Sequence, residues 1–230
     1  MKTAVIHQPD FLPYLGFFHR LLYADVFVLL DSIQFVHSNN GWTHRDKIKT
    51  PQGQKWVSLS LKKAPRNTAI REIFLSNTVD WRTANLNLLR ANYSKAPFFK
   101  EIFHYLEEIY ALKYERMMDF NVKSIEILLD LFDIKVQMVL ASDLDAQGNK
   151  NNLLVDILKK IGADCYLSGV GARDYFDPVP YNESGIEVTW QNFTHPVYPQ
   201  LHGEFVSYLS SIDLLFNCGI KKSREILRGC

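Results

Sequence analysis

The stretch TAVIHQPDFLPYLGFFHRLLYADVFVLLDS, residues 3–32, narrows the choice of fold more than any other part of the chain. Two short β-branched runs, TAVIHQ and ADVFVLL, read as buried strands that stop at turn signals. Between them, residues 14–23 (YLGFFHRLLY) carry apolar side chains at helical spacing. A strand, a helix and a second strand in so little sequence form a βαβ unit, with parallel strands and a right-handed crossover. Ligands of such sheets sit beyond the carboxyl ends of the strands. His7, Gln8 and Asp10 follow the first strand, and Asp31 and Gln34 follow the second. A structural turn needs a proline or an aspartate, not His7, Gln8 and Asp10 together. The proline-stiffened corner therefore marks a binding crevice.

The same rhythm returns after residue 133. IKVQMVL (134–140), DCYLSGV (164–170) and IEVTWQNF (186–193) read as strands, with a helix over 151–161 and amphipathic helices at the end. RDKIKTPQGQKWVSLSLKK reads as a hairpin turning at Pro-Gln-Gly. Asp80 caps a helix through Tyr93, Ala96-Pro97 starts another through Tyr110, and a third runs from about Glu115 to Phe132. The pattern predicts one α/β domain over residues 1–230: a mostly parallel, Rossmann-like sheet with a helical insertion or cap over residues 80–132.

With 47% apolar residues, 15 Phe, 11 Tyr and 4 Trp, a chain of 230 residues can bury a substantial core. A net charge of +1 argues against nucleic-acid binding by charge alone, though a local basic patch can still hold a phosphate. Cys165, Cys218 and Cys230 are too few and too scattered for a disulfide framework and lack zinc spacing. Reduced thiols in a cytoplasm are the simpler expectation. Residues 1–30 lack the order of a signal peptide, and no run reaches the roughly 18 apolar residues of a membrane span.

Four groups of residues can carry chemistry. The first is His7, Gln8 and Asp10 with Asp31 and Gln34, where negative neighbours would raise the imidazole pKa and make it a general base. The second, SNNGWTHRDKIKT, holds Asn39, Asn40, His44, Arg45, Lys47 and Lys49. It suits either an anionic ligand or a solvated hairpin face, with Arg45 the preferred anion clamp. The third, YLSGVGARDY, sets Ser168, Gly169, Gly171, Arg173 and Tyr175 after a strand. Small residues there free backbone N–H groups for a phosphate, although the segment is neither a Walker loop nor a complete GxGxxG. The fourth, QNFTHPVYPQLHGEF, fixes His195, Tyr198, Gln200 and His202 on a proline-restricted loop. Its two histidines lack the HExxH spacing, so no metal site is expected. Cys218 reads as a small core residue, and Ser210 and Ser211 lack the GxSxG elbow.

IHQPDFLPYLGFF with ADVFVLLDSIQF, then RDKIKTPQGQKW, YLSGVGARDY and HPVYPQ…SSIDLLFNCG, resemble the WbqC-like family in that family's order, from the N-terminus to about residue 220. The resemblance implies a cytoplasmic bacterial protein of O-antigen or other surface-polysaccharide biosynthesis. It carries His7, Gln8, Pro9, Asp31, Gln34, Arg45, Ser168, Gly169, Tyr175, His195, Tyr198 and Asp213 as candidate positions. The chain departs from the family at THR, where an Asn-Arg pair is expected and His44 stands before Arg45. A fold-level likeness to nucleotidylyltransferases is also present, without their HxGH pair.

The resulting expectation is a transferase that moves an acyl or aminoacyl group onto the amine of a nucleotide-linked amino sugar. His7 would be the base, oriented by Asp31 or Asp10, with His195 second. Arg45 and the 168–171 bend would hold phosphates in the same pocket as His7. Coenzyme A or a carrier-protein thioester would be the donor, with no tightly bound cofactor, and a homodimer is compatible with the aromatic content. The rivals are an ATP-dependent nucleotidylyl or ligase-type enzyme and a non-catalytic nucleotide-sugar binding protein.

Overall fold

Among the described residues, seven strands follow one another: β1 (Thr3–His7), β2 (Val26–Leu29), β3 (Arg45–Thr50), β4 (Gly53–Ser58), β5 (Gln137–Leu140), β6 (Cys165–Ser168) and β7 (Glu187–Trp190). The computed structural model describes residues 1–37 and 41–230. Within it, β3 and β4 form an antiparallel hairpin, and the other five strands form one parallel sheet in the order β5-β2-β1-β6-β7. The chain starts at the centre of this sheet, builds outward through β2 to β5, and then returns to the other side of β1. The switch in direction lies between β1 and β6. Their ladder covers two residue pairs, Thr3 with Cys165 and Ala4 with Tyr166, whereas β1 and β2 pair over four.

Seven α-helices accompany the strands among the described residues: α1 (Leu15–Leu21), α2 (Trp81–Tyr93), α3 (Phe99–Ala111), α4 (Met117–Phe132), α5 (Lys150–Lys160), α6 (Val179–Glu183) and α7 (Ile212–Arg228). Strand alternation sorts their partners. Val5, Phe27 and Leu29 point to the side covered by α1, α4 and α7, with α2, α3 and the hairpin joined to the same core. Ala4, Ile6, Val26 and Val28 point to the other side, covered by α5 and α6. The helices within residues 80–132 thus help build one face layer of the sheet. As expected, Asp80 caps α2 by accepting from the Thr83 N–H at 3.0 Å.

The strand expected over 186–193 stops at Trp190, and residues 191–209 form neither helix nor strand. The helices expected at the end are the two halves of α7 on either side of Gly219. Side chains supply what a ladder would have supplied. Buried Asp213 accepts from the Tyr93 hydroxyl at 2.7 Å, the Tyr198 hydroxyl at 3.0 Å and the Gln200 amide at 2.8 Å. Lys49 donates from the hairpin to the carbonyls of Gly203 and Glu204. Within α7, Gly219 breaks the helix at φ 71°, and a Cβ there would lie 2.6 Å from the Phe98 ring. Beyond the break, Arg224 donates to the carbonyls of Leu131 and Asp130, and Arg228 to those of Phe132 and Asp133. These bonds satisfy the end of α4, where the helix has no partners of its own.

From α4, fully buried Asn121 donates to the carbonyls of Pro9 at 2.7 Å and Thr43 at 2.6 Å. This one amide holds the corner after β1 beside the entry to β3. Asn121→Ala leaves both carbonyls without their partner, at about 2 kcal/mol or more. A lowered urea midpoint with an unchanged m-value is the expected result.

Candidate functional site

The parting of β1 and β6 opens a cleft of about 1410 Å³ at the carboxyl ends of the strands. His7, Gln8 and Asp10 enter it from the corner after β1, and Ser168, Gly169, Gly171 and Tyr175 from the bend after β6. His7, Gln8 and Asp10 of the first group anticipated from the sequence and the bend of the third therefore share one cleft. Tyr14, Tyr166, Phe176, Tyr181, Tyr208 and Trp42 supply aromatic surface around them. No helix among the described residues is long and apolar enough to cross a membrane.

Arg45, expected in the same pocket, stands outside the lining. Side chains alternate along β3, so Asp46, only 3% exposed, faces the cleft and its neighbour turns away. The Arg45 guanidinium instead stacks 4.1 Å from the centre of the Trp56 ring. His44 packs edge-on against Phe35, and burial first and then Arg45 keep its pKa below the ordinary value. Asn39 and Asn40 lie outside the described residues.

Asp31 does not reach His7 as a partner either. It is buried and accepts from the Ser142 N–H at 2.9 Å, fastening the turn after β5. Gln34 is exposed and donates to the Arg66 carbonyl at 2.7 Å. Arg173 lies over the Trp190 ring at 5.2 Å, and Tyr198 spends its hydroxyl on Asp213. His195 lies behind the wall: its ring packs 5.1 Å from that of Tyr208, and its Nδ1 is 2.9 Å from the Pro196 carbonyl. Asp31, Gln34, His44, Arg45, Arg173, His195 and Tyr198 are thus absent from the cleft lining. Each is used by the packing around it.

The imidazole of His7 meets the edge of Phe17, with Nδ1 3.1 Å from the Gln8 carbonyl and 3.5 Å from an Asp10 carboxyl oxygen. Nδ1 carries the hydrogen, since a carbonyl can only accept. Nε2 is then the atom with a free lone pair. The sequence leads one to expect a raised histidine pKa, but the opposite holds. Burial, followed by the positive charge of Arg20, pushes His7 down to about 3 from 6.5. Burial also pushes Asp10 up to about 7 from 3.8, against the pull of Arg20. Asp46 is raised too, by burial first and with Asp10 among the further causes. Near neutral pH the corner holds an uncharged imidazole and a carboxyl close to its midpoint.

Arg20 is the residue that motif reading passed over. It lies in the last turn of α1, 4% exposed, and lines the cleft beside Gly169. Its signal is a cation in GFFHRLL, a helix whose seven residues are all buried, so that no solvent face is left for the charge. Asp46 and Gln191 were passed over as well. The Gln191 amide donates to the Gly16 carbonyl at 2.7 Å, which ties the end of β7 to the start of α1.

The two opposed shifts give a pH signature. His7, lowered in the fold, stabilises it above pH 6.5, and this is lost as pH falls toward 3. Asp10, raised in the fold, stabilises it below pH 3.8, and this is lost as pH rises through 7. Between about pH 4 and 6.5 the two slopes oppose each other. Relative to wild type, Asp10→Asn should lose about 2–3 kcal/mol as pH falls across that interval, and His7→Gln as it rises. Urea titrations at several pH values check both signs.

No solved structure matches the chain. It is similar to the uncharacterized protein Rv1507c of Mycobacterium tuberculosis (strain ATCC 25618 / H37Rv), at 30% identity over 233 residues, covering 100% of this chain and 99% of that protein. Residues 8–225, which include every lining residue named above except His7, match the model of the WbqC-like protein family, and the chain belongs to that family.

Proposed function

We propose that the protein is a transferase of bacterial O-antigen or related surface-polysaccharide assembly, working in the cytoplasm. It would move an acyl or aminoacyl group from a coenzyme A or carrier-protein thioester onto the amine of a nucleotide-linked amino sugar. The observation that carries this is the corner beside the switch point. There a neutral His7, a carboxyl at Asp10 with a pKa of about 7 and the Arg20 cation line one cleft. Ligands of doubly wound sheets occupy this place. At about 1410 Å³ the cleft exceeds the roughly 300–1,000 Å³ of most small-molecule sites, which suits a nucleotide sugar.

An amine reaches such a site as an ammonium and must shed a proton to attack. Asp10, 8% exposed and close to its midpoint at neutral pH, is matched to take it. The free Nε2 of His7 accepts a hydrogen bond from the amine and points its lone pair toward the carbonyl carbon. The C–N bond forms and the C–S bond breaks. The second proton that the nitrogen sheds on becoming an amide passes to the departing thiolate, while the first leaves Asp10 for solvent. His7 is thereby an orienting acceptor, with the proton held on Asp10. This differs from the base role anticipated from the sequence, because an imidazole at about 3 binds a proton too weakly for that.

Asp10→Asn should lower transfer to the amino sugar by about a hundredfold or more through loss of the base, and His7→Ala by about a hundredfold through misplacement of the amine. A rate within about threefold of wild type in either variant would refute the assignment. The wild-type kcat/KM should rise with pH through about 7. A thermal-shift screen against nucleotide sugars, coenzyme A thioesters and ATP separates the rivals, since a ligand at about 100 times its Kd stabilises by roughly 2.7 kcal/mol. Pyrophosphate release from ATP would favour the ligase-type enzyme. Tight nucleotide-sugar binding with no turnover on any thioester would favour a binding protein.

A further inference from the structure

Arg20 is 4% exposed, yet its guanidinium makes no ion pair and no hydrogen bond among the described residues, and its Nε is sealed from solvent without a partner. Isolated charges seldom persist in such positions, because desolvation costs several kcal/mol unless an opposite charge answers it. The groups that feel its field are His7, Asp10, Tyr14, His19 and Tyr166. Asp10 is the one carboxylate among them, and it forms neither a hydrogen bond nor an ion pair with the guanidinium. Across from it, Gly169 leaves room: a Cβ there would lie 3.1 Å from Nη1 and 3.5 Å from Cζ of Arg20. The guanidinium thus lies against the bare backbone of Gly169, where a side chain would crowd it, at the switch point on the wall of the cleft.

We propose that Arg20 is the anion anchor of the cleft and binds a phosphate oxygen of the ligand beside the Gly169 backbone. For the ligand's identity this rests on the nucleotide-sugar reading, whose diphosphate is the group it would seat. A planar guanidinium grips two oxygens of one phosphate at once. The cleft volume and its aromatic walls suit the nucleoside and sugar on either side of that group better than a small free carboxylate. The anchor takes the part that sequence motifs suggested for Arg45.

Titration calorimetry and thermal melting, without added metal, compare wild type with Arg20→Met and Arg20→Lys. The probes are inorganic pyrophosphate, UDP, uridine and acetate. Pyrophosphate and UDP should stabilise the wild type, and uridine and acetate should not. Arg20→Met should weaken both phosphate probes by roughly ten- to a hundredfold. In their absence it should melt at or above the wild-type temperature, because it removes an unanswered charge. Arg20→Lys should bind with intermediate affinity. Pyrophosphate affinity within threefold of wild type in Arg20→Met, acetate acting as well as pyrophosphate, or an Arg20→Met chain that fails to fold would each overturn the proposal. Since binding is read without turnover, a failed acyl transfer would leave it standing. Intact pyrophosphate binding in Arg20→Met would sink it even if transfer occurs.

Discussion

The β1–β6 ladder ends after two residue pairs, and the cleft depends on that early parting. Had the strands stayed zipped along their length, as β1 and β2 do, their carboxyl ends would have closed over the space that α1 now enters. Opening it leaves Ser168 and Gly169 facing His7 and Gln8 across a gap filled from below by the end of α1. The protein holds this gap from outside the sheet. Asn121 secures the corner from α4, and Gln191 fastens the foot of α1 to the last strand.

Electrostatics at the corner follow from that geometry. Burial disfavours charge on His7, Asp10 and Asp46, so the histidine moves down and these two aspartates move up. Arg20 deepens the histidine shift and moderates that of Asp10. A neutral donor–acceptor ring thus lies 3.5 Å from a carboxyl that exchanges its proton near neutrality. Neither state follows from residue types alone. Burial sets both of them, and no short motif reports burial.

Much of the scaffold was legible beforehand. Strands 3–7, 26–29, 137–140, 165–168 and 187–190 all fall inside the apolar runs, and the cap at Asp80 is where side-chain chemistry puts it. The place of the cleft followed from topology, since a crevice opens at the carboxyl ends of the strands where the order of a parallel sheet reverses. Asp46 and Arg45 illustrate what was hidden. Both lie on the first strand of the hairpin, and the pleat alone decides which one faces inward. Asp31 had the right position for a partner of His7 but gave its oxygen to the Ser142 N–H instead. The loop at 191–209 has no periodicity to read, because Asp213 and Lys49 hold it through long-range side-chain bonds.

The arginines past the Gly219 break tie distant parts of the chain into one relay. They close the carbonyls at the far end of α4, and α4 in turn carries the amide that grips the corner after β1. Damage to the last helical turns would therefore not stay local. A clipped or fused tail loosens the lower end of α4, and the disturbance is felt some two hundred residues earlier in the sequence, at the mouth of the pocket.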